Sequence, residues 1–195
     1  MPYREEKDTL GGVQVPEAAY FGAQTQRARE NFPISGMTLP ASLIRALAMI
    51  KKHAAEVNRD LGRLDAEKAA AVVRAAQEVI DGRFNDQFVV DVFQTGSGTS
   101  TNMNMNEVLA ARANELLTGE KSAKSPIHPN DHVNLGQSSN DVIPSAIHIA
   151  ALVQIEAGLI PAMKTLQAAL AAKAEAFRDV LKIGRTHLQD AVPLS

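Results

Sequence analysis

The sequence predicts a mainly α-helical protein with a short β-hairpin arm near its N-terminal end. Several stretches repeat apolar residues at three- and four-residue steps, which is the period of a helix buried on one side. The pair Gly11-Gly12 lies between two short runs and is typical of a hairpin turn. Residues 142–155 contain no Asp, Glu, Lys or Arg, so we expect a long helix that is buried in a helical bundle.

The composition limits the classes of function. The 195 residues suit one domain or one and a half, and 45% hydrophobic residues are ordinary for a globular chain. A net charge of −2 gives no basic excess, so we expect no nucleic-acid partner. The absence of cysteine excludes disulfides and thiolate metal sites. The first ten residues lack the apolar core of a signal peptide, and we expect a cytoplasmic protein without a membrane partner.

Two scaffold helices are predicted after the hairpin arm. The first covers residues 39–61, and its apolar residues recur at helical spacing: Leu43, Leu47, Ile50, Ala54 and Val57. The second covers residues 66–80 and ends at Gly82, because glycine is a frequent helix terminator.

A β-prone run, FVVDVF at 88–93, leads into a loop rich in hydroxyl groups. Residues 95–101, TGSGTST, hold two glycines, two serines and three threonines, and helical periodicity follows from 103 to 117. Gly96 and Gly98 allow backbone angles that other residues avoid and a close approach to a ligand. The Gly-Lys-Ser/Thr ending of a phosphate-binding Walker loop is missing. Such a loop is either a plain connection or part of a site.

Residues 128–141, HPNDHVNLGQSSND, form the most polar segment, and the apolar helix follows directly. Serine, asparagine and aspartate are preferred helix caps, so one interpretation is simple capping. One residue is enough for a cap, and the first turn of a helix favours a carboxylate or phosphate. A binding site is therefore the second interpretation, and the sequence leaves both open.

The long helix is predicted to cover residues 141–177. Pro144 fits its first turn, where a missing N–H group costs little, whereas Pro161 should kink or interrupt the helix. A short β-prone run then leads to Arg185-Thr186-His187. A domain boundary is expected near Asn140, between the mixed N-terminal part and the long helix.

Three polar clusters stand out: Ser97-Gly98-Thr99, Ser138-Ser139-Asn140 and Thr186-His187. Together they supply neutral hydrogen-bond donors, two predicted helix N-termini and one imidazole that titrates near neutral pH. This combination suits a small polyanionic substrate, with His187 moving a proton directly or through water. His128 and His132 are four residues apart, but the intervening Pro129 argues against a regular helical metal site.

The motifs TGSGTSTNMNMNEV, HPNDHVNLGQSSND and GRTHLQDAVPL resemble, in order and spacing, those of class II fumarate hydratase in the fumarase/aspartase superfamily. The opening EKDTLGGVQVPEAAYFGAQTQRARENFPIS is also similar to that of the family, so the resemblance covers essentially the whole chain. It implies an N-terminal lyase domain over 1–139 and, over 140–195, the start of a central helical-bundle domain.

The resemblance implies a role for individual residues. Substrate-binding positions match Ser97, Gly98, Thr99, Ser138, Ser139, Asn140 and Thr186. The catalytic position, a histidine that transfers a proton through water, matches His187. A secondary anion site beside the active site matches His128, Pro129, Asn130 and Asp131.

The implied reaction is the reversible hydration of fumarate to (S)-malate, a step of the tricarboxylic acid cycle. The implied partners are this small dicarboxylate substrate and other copies of the chain in a homotetramer, and no cofactor or metal is expected. Removing a proton beside a carboxylate builds negative charge on that carboxylate, which neutral donors and helix termini stabilise.

The sequence also departs from the family pattern. Family members are more than twice as long, and their GSSxMPxKxN loop with a catalytic serine has no counterpart here. Ser125-Pro126 stands where family members often carry a basic residue. We therefore expect an N-terminal fragment that is inactive by itself.

The sequence has two alternative interpretations besides fumarase. Aspartate ammonia-lyase belongs to the same superfamily, but it typically carries Thr-Gln at the position of Thr186-His187 and Ser-Thr at the earlier serine pair. A non-catalytic helical interaction module would gain nothing from keeping both Ser139 and His187.

Overall fold

A computed structural model describes residues 2–121 and 124–195 and divides the chain into two compact units, 1–150 and 151–195. The first unit contains β1 (Tyr3–Asp8), β2 (Gly11–Pro16), α1 (Ala23–Asn31), α2 (Ala41–Asp60), α3 (Ala66–Ile80), α4 (Thr99–Thr118) and most of α5 (Ser139–Gln154). The second contains α6 (Ile160–Ala176), β3 (Lys182–Thr186) and β4 (Gln189–Leu194). The mainly helical fold class and the hairpin arm are confirmed. The domain boundary at residues 139 and 140 stays a prediction.

The hairpin arm forms where it was predicted, but its turn lies two residues earlier. Strands β1 and β2 pair antiparallel with Asp8 opposite Gly11, so Thr9 and Leu10 form the turn. The Leu10 N–H group donates to the Asp8 carboxylate at 2.8 Å, which closes the turn through a side chain. Gly12 belongs to the second strand, and there a Cβ atom would lie 2.5 Å from a carboxylate oxygen of Glu5.

The core of the first unit is built by α2, α3 and α4. Apolar side chains with no exposed surface come from each of these helices: Leu47, Val72, Met105, Val108 and Leu109. Helix α4 is central, because every residue from Thr101 to Ala111 is buried. Burial on all sides accounts for its weak amphipathic pattern.

The buried face of α2 differs by about one position from the predicted face. Val57 was predicted to be buried and is 55% exposed, whereas the neighbouring Asn58 is buried. The buried stripe follows helical spacing but includes two polar residues: Ile44, Leu47, Lys51, Ala55 and Asn58. The spacing of apolar residues alone predicts the wrong buried face, because it places the polar residues Lys51 and Asn58 on the solvent side.

The predicted β-prone run at 88–93 does not form a strand. It makes a single bridge, between Asp91 and Thr38. The Asp91 carboxylate accepts hydrogen bonds from the backbone N–H groups of Ser35 at 2.7 Å, Gly36 at 2.8 Å and Phe93 at 2.9 Å. The donors, with that of Phe93 contributing most, lower the pKa of Asp91 to about 2. The strand prediction is wrong because this side chain holds the segment in a turn.

The helix is not interrupted at Pro161, but its hydrogen-bond pattern changes directly before this residue. Helix α5 passes into a π-helical turn, Ile155–Leu159, and α6 begins directly after it with Pro161 in its first turn. Proline has no backbone N–H group, so the regular hydrogen-bond ladder is broken at this point. The predicted β-prone run near residue 182 is confirmed, because β3 and β4 form an antiparallel hairpin.

The apolar residues of the second unit are largely exposed. The largest among them include Leu159, Met163, Leu166, Leu170 and Phe177. By length and composition alone, the continuous helix Ser139–Ala176 could cross a membrane, and 11% of its most apolar window is buried. The burial expected for this helix is therefore not provided by the described part of the chain.

We predict that Leu47→Ala lowers the free energy of unfolding by about 2–5 kcal/mol, because it leaves a cavity in the core of the first unit. The matched control on the same helix is Val57→Ala, which should change this free energy by less than about 0.5 kcal/mol. Urea denaturation followed by circular dichroism measures both. Equal losses in the two variants would contradict the assignment of the buried face.

Candidate functional site

The first predicted cluster forms the N-terminal end of α4. Gly98 caps this helix with φ +70°, a left-handed conformation that favours glycine. A Cβ atom on Gly98 would lie 2.9 Å from Cγ1 of Ile143, so the loop packs closely against α5. The exposed hydroxyl groups of Ser97 and Thr99 lie 2.9 Å apart.

The second predicted cluster forms the N-terminal end of α5. Ser138 caps the helix: its carbonyl accepts from Val142 N–H at 2.9 Å and its Oγ accepts from Asn140 N–H at 3.3 Å. Ser139 has a different task, because its Oγ accepts a hydrogen bond from Asn102 Nδ2 at 3.1 Å. Capping thus uses one residue of the cluster, and Ser139 and Asn140 remain for other contacts.

The structure brings these two clusters together. Asn102 on α4 is hydrogen-bonded to Ser139, and Gly98 contacts Ile143 one turn further along α5. Two helix N-termini with hydroxyl side chains therefore lie side by side in the first unit. Such termini carry partial positive charge and unpaired N–H groups, which suit a carboxylate.

Behind these clusters lies a buried polar network that the sequence did not reveal. Lys51 has no exposed surface, and its Nζ donates to Asn134 Oδ1 and to Gln137 Oε1, each at 2.9 Å. Asn102 Nδ2 donates to the same Asn134 oxygen at 3.1 Å as well as to Ser139. Burial lowers the pKa of Lys51 to about 7, because desolvation disfavours the charged form.

Two sequence signals could have revealed this network. Asn102, Asn104 and Asn106 alternate with methionines inside a helix, where asparagine is unfavourable unless its amide has a partner. Lys51 follows Leu47 by four residues and so continues the apolar stripe of α2. In both cases polar residues occupy core positions. Apolar periodicity does not identify such residues, because it considers only apolar side chains.

The predicted secondary anion segment forms a π-helical turn, Pro129–Val133, preceded by His128. Asn134 N–H donates to the Pro129 carbonyl at 3.0 Å, and the His128 N–H group donates to His132 Nδ1 at 2.8 Å. Burial is the main cause of the lowered pKa of His132, which favours the neutral ring as the acceptor.

His128, Pro129 and Asn130 line a cavity of about 400 Å³, whereas Asp131 lies outside its lining. The other lining residues include three carboxylates, two lysines and four uncharged residues: Glu6, Lys7, Asp8, Thr9, Ala23, Gln24, Met103, Glu107 and Lys124. Asp8 is paired with Arg27 at 2.8 Å, so this carboxylate is partly neutralised. Lys124 contributes a positive charge to the lining of the cavity. It directly precedes Ser125-Pro126, the pair at which the sequence departs from the family pattern.

Thr186 and His187 belong to the second unit. Thr186 ends β3 and pairs with Gln189, so His187 and Leu188 form the turn of the hairpin. His187 has φ +49° and Leu188 has φ +62°, and both are exposed. Left-handed angles at two residues other than glycine are unusual and cluster at functional positions.

No group of three or more histidines, aspartates or glutamates within residues 2–121 and 124–195 is arranged to hold a metal ion.

Comparison with known proteins identifies the family. The family model described as Lyase matches residues 11–195. The chain belongs to this lyase family. It is 60% identical to a "Fumarate hydratase class II" of Halobacterium salinarum, over 98% of the chain and 41% of that protein. It is 58% identical to another of this name from Nitrosomonas europaea, over 99% of the chain and 42% of that protein.

Solved structures of the same group share the fold. A class II fumarase from Schistosoma mansoni matches with a TM-score of 0.93 and 45% identity, covering 99% of this chain and 41% of that one. A fumarate lyase:delta crystallin from Brucella melitensis matches with a TM-score of 0.93 and 50% identity, covering 99% and 45%. The lyase family inferred from the three motifs is confirmed. The chain spans about two fifths of the length of these curated relatives and corresponds to their N-terminal portion.

We predict a pH dependence of stability that originates in Lys51. Its pKa is about 7 in the folded chain and ordinarily 10.5, so between these values the unfolded chain binds more protons. The free energy of unfolding should therefore rise with pH in this window, by up to about 1.4 kcal/mol per pH unit relative to Lys51→Met. Urea denaturation from pH 6 to pH 10 measures the difference. Parallel curves for the two proteins would contradict the depressed pKa.

Proposed function

We propose that this chain supplies substrate-binding residues of a class II fumarate hydratase, which hydrates fumarate reversibly to (S)-malate in the tricarboxylic acid cycle. The observation that carries the proposal is the hydrogen bond between Asn102 and Ser139, because it joins the two predicted binding clusters at two helix N-termini. Relatives of this name that are 58–60% identical over nearly the whole chain support it.

The geometry suits the charge that develops in this reaction. Removing the proton from malate at the carbon beside a carboxylate moves negative charge onto that carboxylate. Ser139 Oγ already accepts from Asn102, so its own O–H group is the donor that remains for a substrate. Ser97, Thr99 and Asn140 add further donors at exposed positions, and dipoles directed at a developing charge stabilise an oxyanion.

His187 is the residue that we assign to proton transfer, through an intervening water. A histidine ring has one nitrogen that can accept a proton and return it, which suits general acid–base catalysis. Its place at the tip of the β3–β4 hairpin leaves the ring exposed. Thr186 is assigned to substrate contact.

The complete reaction requires groups that this chain does not contain, including the catalytic serine of the family. We propose that these come from additional residues of a longer protein and from other subunits of a cytoplasmic homotetramer. The apolar side chains along α6 support assembly, because a helix that exposes Met163, Leu166 and Leu170 gains stability when a partner covers them.

A secondary anion site is proposed at the cavity of about 400 Å³ lined by His128, Pro129 and Asn130, with Asp131 at the adjoining turn. Lys124 and Lys7 in its lining favour a small anion, whereas the nearby carboxylates limit how strongly one binds.

We predict that the chain binds fumarate saturably and that Ser139→Ala weakens this binding about tenfold or more, because a hydrogen bond to a charged group is lost. Isothermal titration measures both affinities. Thr165→Ala on α6 is the control, since its hydroxyl donates to the Pro161 carbonyl of the same helix. Saturable binding that is unchanged in Ser139→Ala would contradict the assigned contact, and its complete absence would favour a purely structural module.

We predict that the pure 195-residue chain forms no detectable malate from fumarate, since the catalytic serine is missing. In an active longer protein that contains these residues, His187→Asn should lower turnover by roughly a hundredfold to ten-thousandfold, because proton transfer is lost. The decrease in fumarate absorbance measures both rates. Malate formation by the short chain, or near-normal turnover of His187→Asn, would contradict these assignments.

A further inference from the structure

Lys51 is a lysine without exposed surface in the middle of α2, and the proposed chemistry gives it no direct task. Lysine is almost never fully buried unless it is paired, because desolvating its amine is unfavourable. Its partners are two neutral amides, Asn134 and Gln137, and no carboxylate is bonded to it among the residues that the structure describes. A role in hydrogen bonding therefore explains this lysine better than a role in charge pairing.

The amides that contact Lys51 have a fixed orientation. Asn134 Nδ2 donates to the backbone carbonyl of Gln137 at 3.3 Å, and Gln137 Nε2 donates to the carbonyl of Val133 at 2.9 Å. A backbone carbonyl only accepts hydrogen bonds, so the nitrogen end of each amide must face it. The oxygens of both amides consequently face Lys51. Because an amide oxygen only accepts hydrogen bonds, the side chain at position 51 must be a hydrogen-bond donor.

The same orientation is transmitted to Ser139. Asn134 Oδ1 also accepts from Asn102 Nδ2, and the second N–H of that nitrogen donates to Ser139 Oγ, both at 3.1 Å. Reversing the Asn102 amide would place its oxygen against Asn134 Oδ1, and neither atom can donate. Ser139 Oγ must therefore accept from Asn102, which directs the hydroxyl hydrogen away from the protein network.

On the basis of the function proposed above, we propose that Lys51 is a positioning residue for substrate binding. Through Asn134 and Asn102 it holds Ser139 so that the Ser139 hydroxyl donates to a carboxylate of the dicarboxylate substrate. Lys51 itself does not contact the substrate. Two backbone carbonyls fix the orientation of the Asn134 and Gln137 amides that contact Lys51. Asn134 in turn fixes the orientation of Asn102, and Asn102 fixes that of the Ser139 hydroxyl.

A matched control lies on the same face of α2. Asn58 Nδ2 donates to the Leu135 carbonyl at 3.0 Å, so it holds the same 134–137 loop without joining the network that reaches Ser139. Asn58→Leu removes a loop contact, whereas Lys51→Met removes the loop contact and the donor of the network. A purely structural lysine predicts similar effects of the two substitutions.

The first experiment measures fumarate affinity of the full 195-residue chain by titration. We expect Lys51→Met to weaken binding about tenfold or more, as Ser139→Ala does, and Asn58→Leu to change it less than about twofold. In the Ser139→Ala background, Lys51→Met should have little further effect, because both substitutions remove the same contact. Additive losses, or equal effects of Lys51→Met and Asn58→Leu, would overturn the proposal.

The second experiment needs no ligand and separates this inference from the proposed function. In nuclear magnetic resonance spectra, Lys51→Met should shift the side-chain amide signals of Asn102 and Asn134, and Asn58→Leu should leave the Asn102 signals in place. Lys51→Gln keeps two N–H donors, so the amide signals should lie closer to their positions in the unsubstituted protein. This variant replaces Lys51→Met in the experiment if Lys51→Met does not fold. Unchanged Asn102 signals would overturn the role of Lys51, whereas shifted signals without fumarate binding would overturn the proposed function alone.

Discussion

The first unit depends on the hydrogen bonds that Asn104, Glu107 and Asn114 make from a helix that is buried on all sides. Asn104 on α4 accepts from Val89 N–H and donates to the Gln87 carbonyl, and Asn114 pairs with both backbone groups of Ile127. Glu107 accepts from three backbone N–H groups at the start of α1 and from the Thr25 hydroxyl. A buried amide or carboxylate without partners is costly, so each of these residues fixes a neighbouring segment.

This constraint explains why the irregular segments around α4 have defined positions. The 88–93 run has one bridge and no strand, yet the Asn104 amide and the Asp91 carboxylate replace the hydrogen bonds that a sheet would supply. The same principle reaches the candidate site through Asn102, whose amide connects α4 with the start of α5. This hydrogen bond and the close packing of Gly98 against Ile143 together fix where the two serine-rich clusters lie.

Much of this arrangement could be predicted from the sequence. Helices α3 and α4, the hairpin arm and the irregular helix before Pro161 follow from periodicity, glycine and proline, which act locally. The family and the two clusters follow from long motifs. The partners of polar side chains could not be predicted, because Lys51 and Asn134 are 83 residues apart and meet only in the folded chain. The face of α2 was misplaced for the same reason, since a lysine looks solvated until its distant acceptors are known.

The turn at His187 and Leu188 has a consequence for anyone who redesigns this protein. Both residues adopt left-handed angles that Asn-Gly would adopt with less strain, and Leu188 is 99% exposed. A redesign that maximised folding stability alone would therefore select glycine or asparagine at these positions and delete the imidazole. At this hairpin tip, local stability and the proton transfer proposed for His187 favour different amino acids, and the chain has histidine at this position.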